Sequence, residues 1–210
     1  MKDTSYSWKH TFVLQSNLID PQPGYEGDKP GCQMYDNHSK ALNFVLSNGW
    51  ELTHHTPLDI HRLLTKDIPF FDKDSGKYRT CNAWIGSDEC PSPYLIPGLM
   101  NTWFEVTKQL MDDNSRNPID VAWISHHIFE TIHPFIDGNG RTGRLIFNKV
   151  LYDLGEDGRI IYFHDRFKYY DEIQGYVKLE FSHSYGLAIL TRDHELYRRL
   201  TIIVELLKKK

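Results

Sequence analysis

The residues best suited to chemistry lie in one run from His133 to Arg144, which has the sequence HPFIDGNGRTGR. Gly138 and Gly140 flank Asn139, so the backbone can turn sharply there and direct successive N–H groups into a concave surface. A helix that begins at this turn adds its own N-terminal amides and the positive end of its dipole. Together these groups predict a phosphate-binding site.

Charged side chains around the turn fit the same ligand. Arg141 and Arg144 lie on neighbouring positions of the first turn of the predicted helix and offer forked donors suited to phosphate oxygens. Asp137 offers a hard oxygen ligand for a Mg²⁺ that bridges phosphates. His133 can accept a proton from a hydroxyl at neutral pH, because an imidazole ordinarily has a pKa of about 6.5. The run therefore combines an anion site with a base.

Other interpretations of this run are weaker. The pattern G-x-G-x-x-G occurs from Gly138 to Gly143, but a dinucleotide site requires a preceding strand, and residues 122–132 have helical periodicity. The chain contains no Walker A sequence. His126 and His127 suggest a zinc site with His133, but their spacing to it straddles two helical turns and a third firm ligand is missing.

The run from His133 to Arg144 resembles the Fic-family signature HxFx(D/E)GNGRxxR without departure. The likeness extends to the helix that precedes it and to Gly76-Lys-Tyr-Arg with Ile85-Gly86, which is similar to the family's target-binding flap. It covers about residues 30–180. The resemblance implies a protein adenylyltransferase, which transfers AMP from Mg-ATP to a Tyr, Ser or Thr hydroxyl of a target protein and releases pyrophosphate.

The resemblance also implies a role for each position of the run. His133 would be the general base and Asp137 would hold Mg²⁺. The nucleotide would be held through its α- and β-phosphates by Gly138, Asn139 and Gly140, through the pyrophosphate by Arg141 and through the γ-phosphate by Arg144. The alternatives on this scaffold are transfer of UMP or phosphocholine, removal of AMP, or a regulatory module that holds ATP without turnover.

Two further segments resemble ligand-binding parts of the family. Asp165-Arg-Phe-Lys-Tyr-Tyr is similar to the segment that closes over the adenine, which implies base contacts for Tyr169 and Tyr170, although tyrosines on a helix also serve as packing residues. In the flap, Trp84 and Ile85 would lie on a strand edge that pairs with extended target backbone. An ordinary surface hairpin is the alternative interpretation of the flap.

An N-terminal arm carries a pattern similar to the inhibitory motif (S/T)xxxE(G/N) of many Fic proteins. Ser16 has the right spacing, but Asp20 replaces the glutamate and Pro21 replaces the small residue. The family's glutamate pairs with the second arginine of the signature, which corresponds to Arg144. We therefore predict a weak inhibitory contact of Asp20, and the alternative is a plain helix end before Pro21.

The predicted fold is mostly α, a single Fic-type helical domain with a small β-hairpin flap between Asp72 and Pro97. Residues 1–29 are predicted to form the arm and a Pro- and Gly-rich connector, and residues 30–210 the Fic domain with its C-terminal helix. Helices are predicted over a segment capped by Asp36, from Thr56-Pro57, near Pro97, from Pro118, up to Gly155 and over His194–Lys208.

Composition sets the class of protein. The chain has 210 residues with 40% hydrophobic content, which fits one core, and its net charge of -4 argues against a surface devoted to nucleic acid. Its first residues lack the apolar region of a signal peptide, and its apolar runs are shorter than the roughly 20 residues that cross a bilayer. The three cysteines are odd in number and widely spaced. We therefore predict a cytoplasmic protein whose partners are ATP and a target protein, without nucleic acid or membrane.

Overall fold

The computed structural model describes residues 5–21, 29–47 and 51–171. Over these ranges the chain is mostly helical with one short antiparallel hairpin, which confirms the predicted fold class. The helix predicted over His194–Lys208 and most of the connector after Asp20 lie outside the described residues.

Along the described ranges, three α-helices precede the hairpin and three follow it. They are α1 (Tyr6–Ile19), α2 (Gln33–Val45), α3 (Thr56–Thr65), α4 (Ile96–Asp112), α5 (Pro118–Ile132) and α6 (Asn139–Asp153). The hairpin consists of β1 (Trp84–Ile85) and β2 (Asp88–Glu89), with Trp84 opposite Glu89. It turns at Gly86, whose φ of 61° is left-handed. Short 3-10 turns lie at Pro69–Phe71, Pro93–Leu95 and Phe163–Asp165, and residues 166–171 are again helical.

Helix α5 lies at the centre of the molecule, because it packs against both α4 and α6. Its side chains are buried along nearly the whole length, and each fully buried Ile or Phe contributes about 1.5–3 kcal/mol. Trp103 on α4 donates its indole N–H to the carbonyl of Ser125 at 2.9 Å, and the Thr107 and Ser125 hydroxyls are 2.9 Å apart. This packing fixes the end of α5, where the run from His133 begins.

The ends of α5 and α6 form as the sequence indicates. The Asn117 side chain accepts a hydrogen bond from the N–H of Ile119 at 2.8 Å, and Pro118 occupies the first turn of α5. Helix α6 stops before Gly155, whose φ of 88° is left-handed. Both predicted boundaries are confirmed.

The predicted cap at Asp36 is wrong. Helix α2 begins at Gln33 with Cys32 at the cap position, so Asp36 lies inside the first turn. Its carboxylate accepts a hydrogen bond from the N–H of Gly31 at 3.1 Å, which satisfies a donor of the preceding turn instead of the helix. Helix α3 includes Thr56 and begins one residue earlier than the Thr56-Pro57 pattern predicts.

Helix α1 lies within the predicted N-terminal arm and shares the main hydrophobic core. Phe12 and Val13 are buried in it, and the Phe12 ring meets His38 of α2 edge-on at 5.7 Å. A hydrogen bond of 2.7 Å joins the His38 and Asn17 side chains. These contacts hold α1 against α2, and α1 also packs against α6. The predicted boundary at residues 29 and 30 stays a prediction.

No helix of the described ranges has both the length and the apolar character needed to cross a bilayer. The predicted cytoplasmic location stays a prediction.

Candidate active site

The loop between α5 and α6 is closed by its own side chains. Asn139 accepts a hydrogen bond from the N–H of Phe135 at 2.8 Å and donates to the Phe135 carbonyl at 2.9 Å. The buried Phe135 ring stacks on His61 with centroids 3.9 Å apart. The Asn139 amide is thus used within the loop, and its contribution to a bound anion comes from the backbone at the start of α6.

Two glycines allow the tight approach that this loop requires. Gly138 caps α6 with a left-handed φ of 81°, and a Cβ there would press on the His61 ring. A Cβ at Gly140 would collide with the Asp20 carboxylate and with Arg144. The carboxylate of Asp20 therefore lies directly against the N-terminus of α6, where the sequence predicts a phosphate.

Most of the predicted site residues line one cavity of about 330 Å³. They are His133, Asp137, Gly138, Asn139, Gly140, Arg144, Tyr169, Tyr170, Asp20 and Ile85, and Glu130 and Ile136 complete the lining. Trp84 is 58% exposed on the hairpin, and Ser16 and Arg141 are buried and are not among the lining residues. The structure therefore brings residues from the arm, the flap, the run and the tyrosine segment to one place.

His133 is the cap residue of α5 and is the group in the cavity best suited to act as a base. Burial lowers its pKa to about 4, against a carbonyl hydrogen bond that acts in the opposite direction, so the imidazole is neutral at pH 7. Its Nδ1 lies 3.3 Å from the carbonyl oxygen of Glu130. When Nδ1 carries the proton and donates to that carbonyl, Nε2 has its lone pair free to accept one.

Arg141 is a buried cation with unused donors. It is 1% exposed, and its Nε and Nη2 have no hydrogen-bond acceptor among the described residues. The nearest carboxylate is Asp137, with Oδ1 3.6 Å from Nη2. Because buried guanidinium donors are costly when left unpaired, this residue fits an anionic ligand.

Arg144 is held at two of its three nitrogens by the last turn of α1 and the residue that follows it. Its Nε donates to the Ser16 hydroxyl at 2.8 Å, and its Nη2 donates to the Ser16 carbonyl at 2.9 Å and to Asp20 Oδ2 at 2.7 Å. Burial acts to raise the pKa of Asp20, but the charge and hydrogen bond of Arg144, the Arg141 charge and the Tyr170 hydrogen bond together outweigh it, so the net pKa is lowered. Burial likewise acts to lower the pKa of Arg144, and Asp20 raises it. The predicted arm residues therefore form an ion pair with the second arginine of the run.

The two predicted tyrosines differ in their surroundings. Tyr169 is buried, and its ring stacks on His126 with the hydroxyl 2.9 Å from His126 Nε2. Tyr170 is partly buried and donates its hydroxyl to the Ile19 carbonyl at 2.7 Å, with Asp20 Oδ1 at 3.2 Å. Tyr170 is therefore linked to the arm, whereas Tyr169 belongs to the wall formed by α5.

Three functional candidates were assigned no individual role from the sequence. Glu130 is 5% exposed in the cavity wall, and burial raises its pKa to about 8. His61 lies 3.0 Å from the Asp137 carbonyl through Nε2 and accepts the N–H of Gly76 at 2.9 Å, so it supports the loop from outside. The third is Arg79, which contacts the carbonyl of His133. Arg79 ends the Gly76-Lys-Tyr-Arg segment that resembles the family's flap, and Glu130 lies on the helix that leads to His133, whereas His61 left no signal.

The site fits Mg²⁺ only if bound phosphate supplies some of the metal's ligands. Among residues 5–21, 29–47 and 51–171, no group of three or more His, Cys, Asp or Glu side chains could hold a metal ion. Asp137 lines the cavity, and one of its oxygens accepts the N–H of Gly138. A hard cation that keeps several water ligands and takes others from phosphate suits such a single carboxylate.

Comparison with known proteins gives a consistent result. Residues 51–151 match the family described as Fic/DOC. The chain is 33% identical over 131 residues to the protein adenylyltransferase Fic of Drosophila grimshawi, covering 62% of this chain and 26% of that relative. It is 37% identical over 98 residues to the protein of the same name from Nematostella vectensis, covering 47% of this chain and 23% of the relative. The chain thus spans about a quarter of the length of these relatives.

Solved structures show the same fold. A Fic domain containing signaling protein from Bacteroides thetaiotaomicron superposes with a TM-score of 0.70 at 20% identity, over 97% of this chain and 88% of that one. Fic-1 from C. elegans gives a TM-score of 0.68 at 19% identity, over 95% of this chain and 64% of that one.

Proposed function

Because residues 51–151 of this chain belong to the Fic/DOC family, we propose that the protein is an adenylyltransferase that transfers AMP from Mg-ATP to a Tyr, Ser or Thr hydroxyl of a target protein. The observation that carries the proposal is that a neutral His133 and the start of α6 line one cavity with Arg144. The names of the relatives agree with this activity.

The proposed reaction assigns each group a step. His133 Nε2 takes the proton from the target hydroxyl as its oxygen bonds to the α-phosphorus of ATP, and the bond from that phosphorus to the pyrophosphate oxygen breaks. The α6 N-terminus, Arg141 and Arg144 stabilise the phosphate charge, which is where most of the catalysis of phosphoryl transfer arises. Asp137 would hold Mg²⁺, which neutralises phosphate charge. A base of this kind contributes about 10²–10⁴ in rate.

The decisive test is the mass of the product. The protein is incubated with Mg²⁺, cell extract and either ATP, UTP or CDP-choline. The same incubations are done with Asp20→Gly, which removes the Asp20 contact to Arg144. We expect protein adducts with the mass of one AMP residue from ATP. A UMP or phosphocholine adduct, loss of AMP from a modified protein, or ATP binding without transfer would each contradict the proposal and identify the alternative.

The aromatic contact to the base is tested at Tyr170, whose ring lines the cavity. In the Asp20→Gly background, Tyr170→Ala is expected to weaken ATP binding by about 1–3 kcal/mol, since stacking of a base on an aromatic ring is lost. Tyr170→Phe keeps the ring and removes only the hydroxyl that contacts the arm, so it should bind ATP like its parent. Calorimetry that gives equal affinities for the Ala and Phe variants would reject stacking on Tyr170.

A further inference from the structure

Arg79 is an arginine buried among backbone carbonyls. It is 3% exposed, and its Nε donates to the His133 carbonyl at 2.8 Å. Its Nη1 donates to the Cys81 carbonyl at 2.8 Å and its Nη2 to the Pro91 carbonyl at 2.6 Å. A longer contact of 3.4 Å reaches the Ile132 carbonyl. These acceptors belong to the end of α5 and to the segments that enter and leave the hairpin, so one planar group connects α5 to both segments.

Only an arginine can make this set of contacts. Its guanidinium offers five N–H donors in a rigid fork, whereas the lysine ammonium is a point charge on a flexible stem. Burial of that charge is costly unless hydrogen bonds compensate it, and here backbone carbonyls do so. The contacts therefore depend on residues from separate segments staying together.

The backbone at His133 needs such support. His133 is a non-glycine residue in the left-handed region, with φ 50° and ψ 61°, at the C-terminal end of α5. Carbonyls at a helix C-terminus lack intrahelical partners and favour a nearby cation. The Arg79 side chain supplies a cation at the His133 carbonyl. The backbone N–H of Arg79 donates to the Pro134 carbonyl at 2.9 Å.

We propose that Arg79 is a positioning residue that holds the base His133 and the hairpin of Trp84–Ile85 and Asp88–Glu89 in one fixed relation. The inference rests on the proposed adenylyl transfer, in which the hairpin edge presents the target and His133 receives its proton. Ile85 lines the same cavity as His133. Since a misplacement of about 1 Å can cost about 10²-fold in rate, a tie between these two parts has a direct catalytic effect.

The charge of Arg79 has a second, separable effect on His133. Burial is the largest cause of the low pKa of His133, and Arg79 lowers that pKa further. The groups that act in the opposite direction are the Glu130 carbonyl, Asp20 of the arm and Asp137 of the loop. Removal of the Arg79 charge therefore raises the pKa of His133, and the acid limb of the rate profile moves to higher pH.

The test compares Arg79→Met, which removes the charge, with Arg79→Lys, which keeps the charge but not the fork. Incorporation of labelled AMP from Mg-ATP into cell-extract protein is measured against pH. We expect a fall of about 10²-fold for Arg79→Met, an acid limb at higher pH and an unchanged ATP affinity by calorimetry. Arg79→Lys should fall less and keep the acid limb of the parent.

Two measurements do not depend on transfer, namely hydrogen exchange of the hairpin amides and NMR titration of His133. Exchange at residues 80–91 should be faster in both variants, and the His133 pKa should rise only in Arg79→Met. Arg116→Met, on the turn between α4 and α5, serves as the control for loss of a partly buried arginine. The proposal would be overturned if the hairpin amides of Arg79→Lys exchanged at the same rate as in the parent. Equal effects of Arg79→Met and Arg116→Met would also overturn it. A parent that transfers no AMP would reject the proposed function and leave these two measurements to decide the role of Arg79.

Discussion

Replacement of His133 by alanine is expected to lower AMP transfer by about 10²–10⁴, the usual contribution of a general base. The reason is specific to this site, because burial keeps the imidazole neutral and able to accept a proton at pH 7. The groups proposed to bind the nucleotide, at the start of α6 and on Arg141 and Arg144, are untouched by the change. The ATP affinity should therefore survive, so the loss falls on kcat.

This expectation is checked with labelled ATP for transfer and calorimetry for binding. His54→Ala is the matched control, since it removes an exposed histidine from the loop before α3. His133→Ala also keeps the hydrogen-bond acceptor of Arg79, because Arg79 contacts the backbone carbonyl at that position. If the alanine variant transfers AMP as fast as the parent, His133 is not the base.

The sequence predicted the parts of the site that are local in the chain. The turn, the first residues of α6 and the imidazole before them lie within one continuous run, so their chemistry follows from residue type and spacing. The Asn117-Pro118 start of α5 is local for the same reason. These features need no knowledge of the tertiary structure.

The supporting residues could not be predicted, because their partners are remote. Arg79 and its acceptor His133 are separated by 54 positions, and His61 and Asp137 by 76. No periodicity connects such pairs, and a lone buried arginine or histidine has no local signature. The incorrect cap at Asp36 shows the converse, since an acidic residue near a helix start can satisfy a turn donor outside the helix.

The arm and the cavity wall place two carboxyl groups near one arginine. Burial raises the pKa of Glu130 to about 8, the Arg144 charge acts to lower that pKa, and the Asp20 charge acts to raise it. With Asp20 docked, Glu130 is therefore held mainly in its neutral form at pH 7. Asp20 consequently carries the negative charge that opposes Arg144, and we predict that the arm inhibits through this residue.

Replacement of Asp20 by glycine is expected to raise AMP transfer about tenfold at subsaturating ATP, which corresponds to loss of about 1.4 kcal/mol of competing contact. The Asp20 carboxylate lies against Gly140. Its Oδ2 accepts a hydrogen bond from one nitrogen of Arg144, Nη2, at 2.7 Å. It therefore occupies the place of an anionic ligand at the start of α6. A glutamate is longer by one carbon, about 1.5 Å, and can pair with both arms of a guanidinium, so Asp20→Glu should lower transfer.

We therefore expect the native aspartate to inhibit weakly, with a transfer rate between those of the glycine and glutamate variants. Ser16→Ala should change the rate in the same direction as Asp20→Gly, because the Ser16 hydroxyl accepts the Arg144 Nε donor at 2.8 Å. Asp113→Gly is the control, since it removes a carboxylate that pairs with Arg116 in the turn between α4 and α5. Rates are compared at one ATP concentration below saturation. Equal rates for aspartate, glycine and glutamate at position 20 would show that the arm has no inhibitory role, whatever its contact with Arg144.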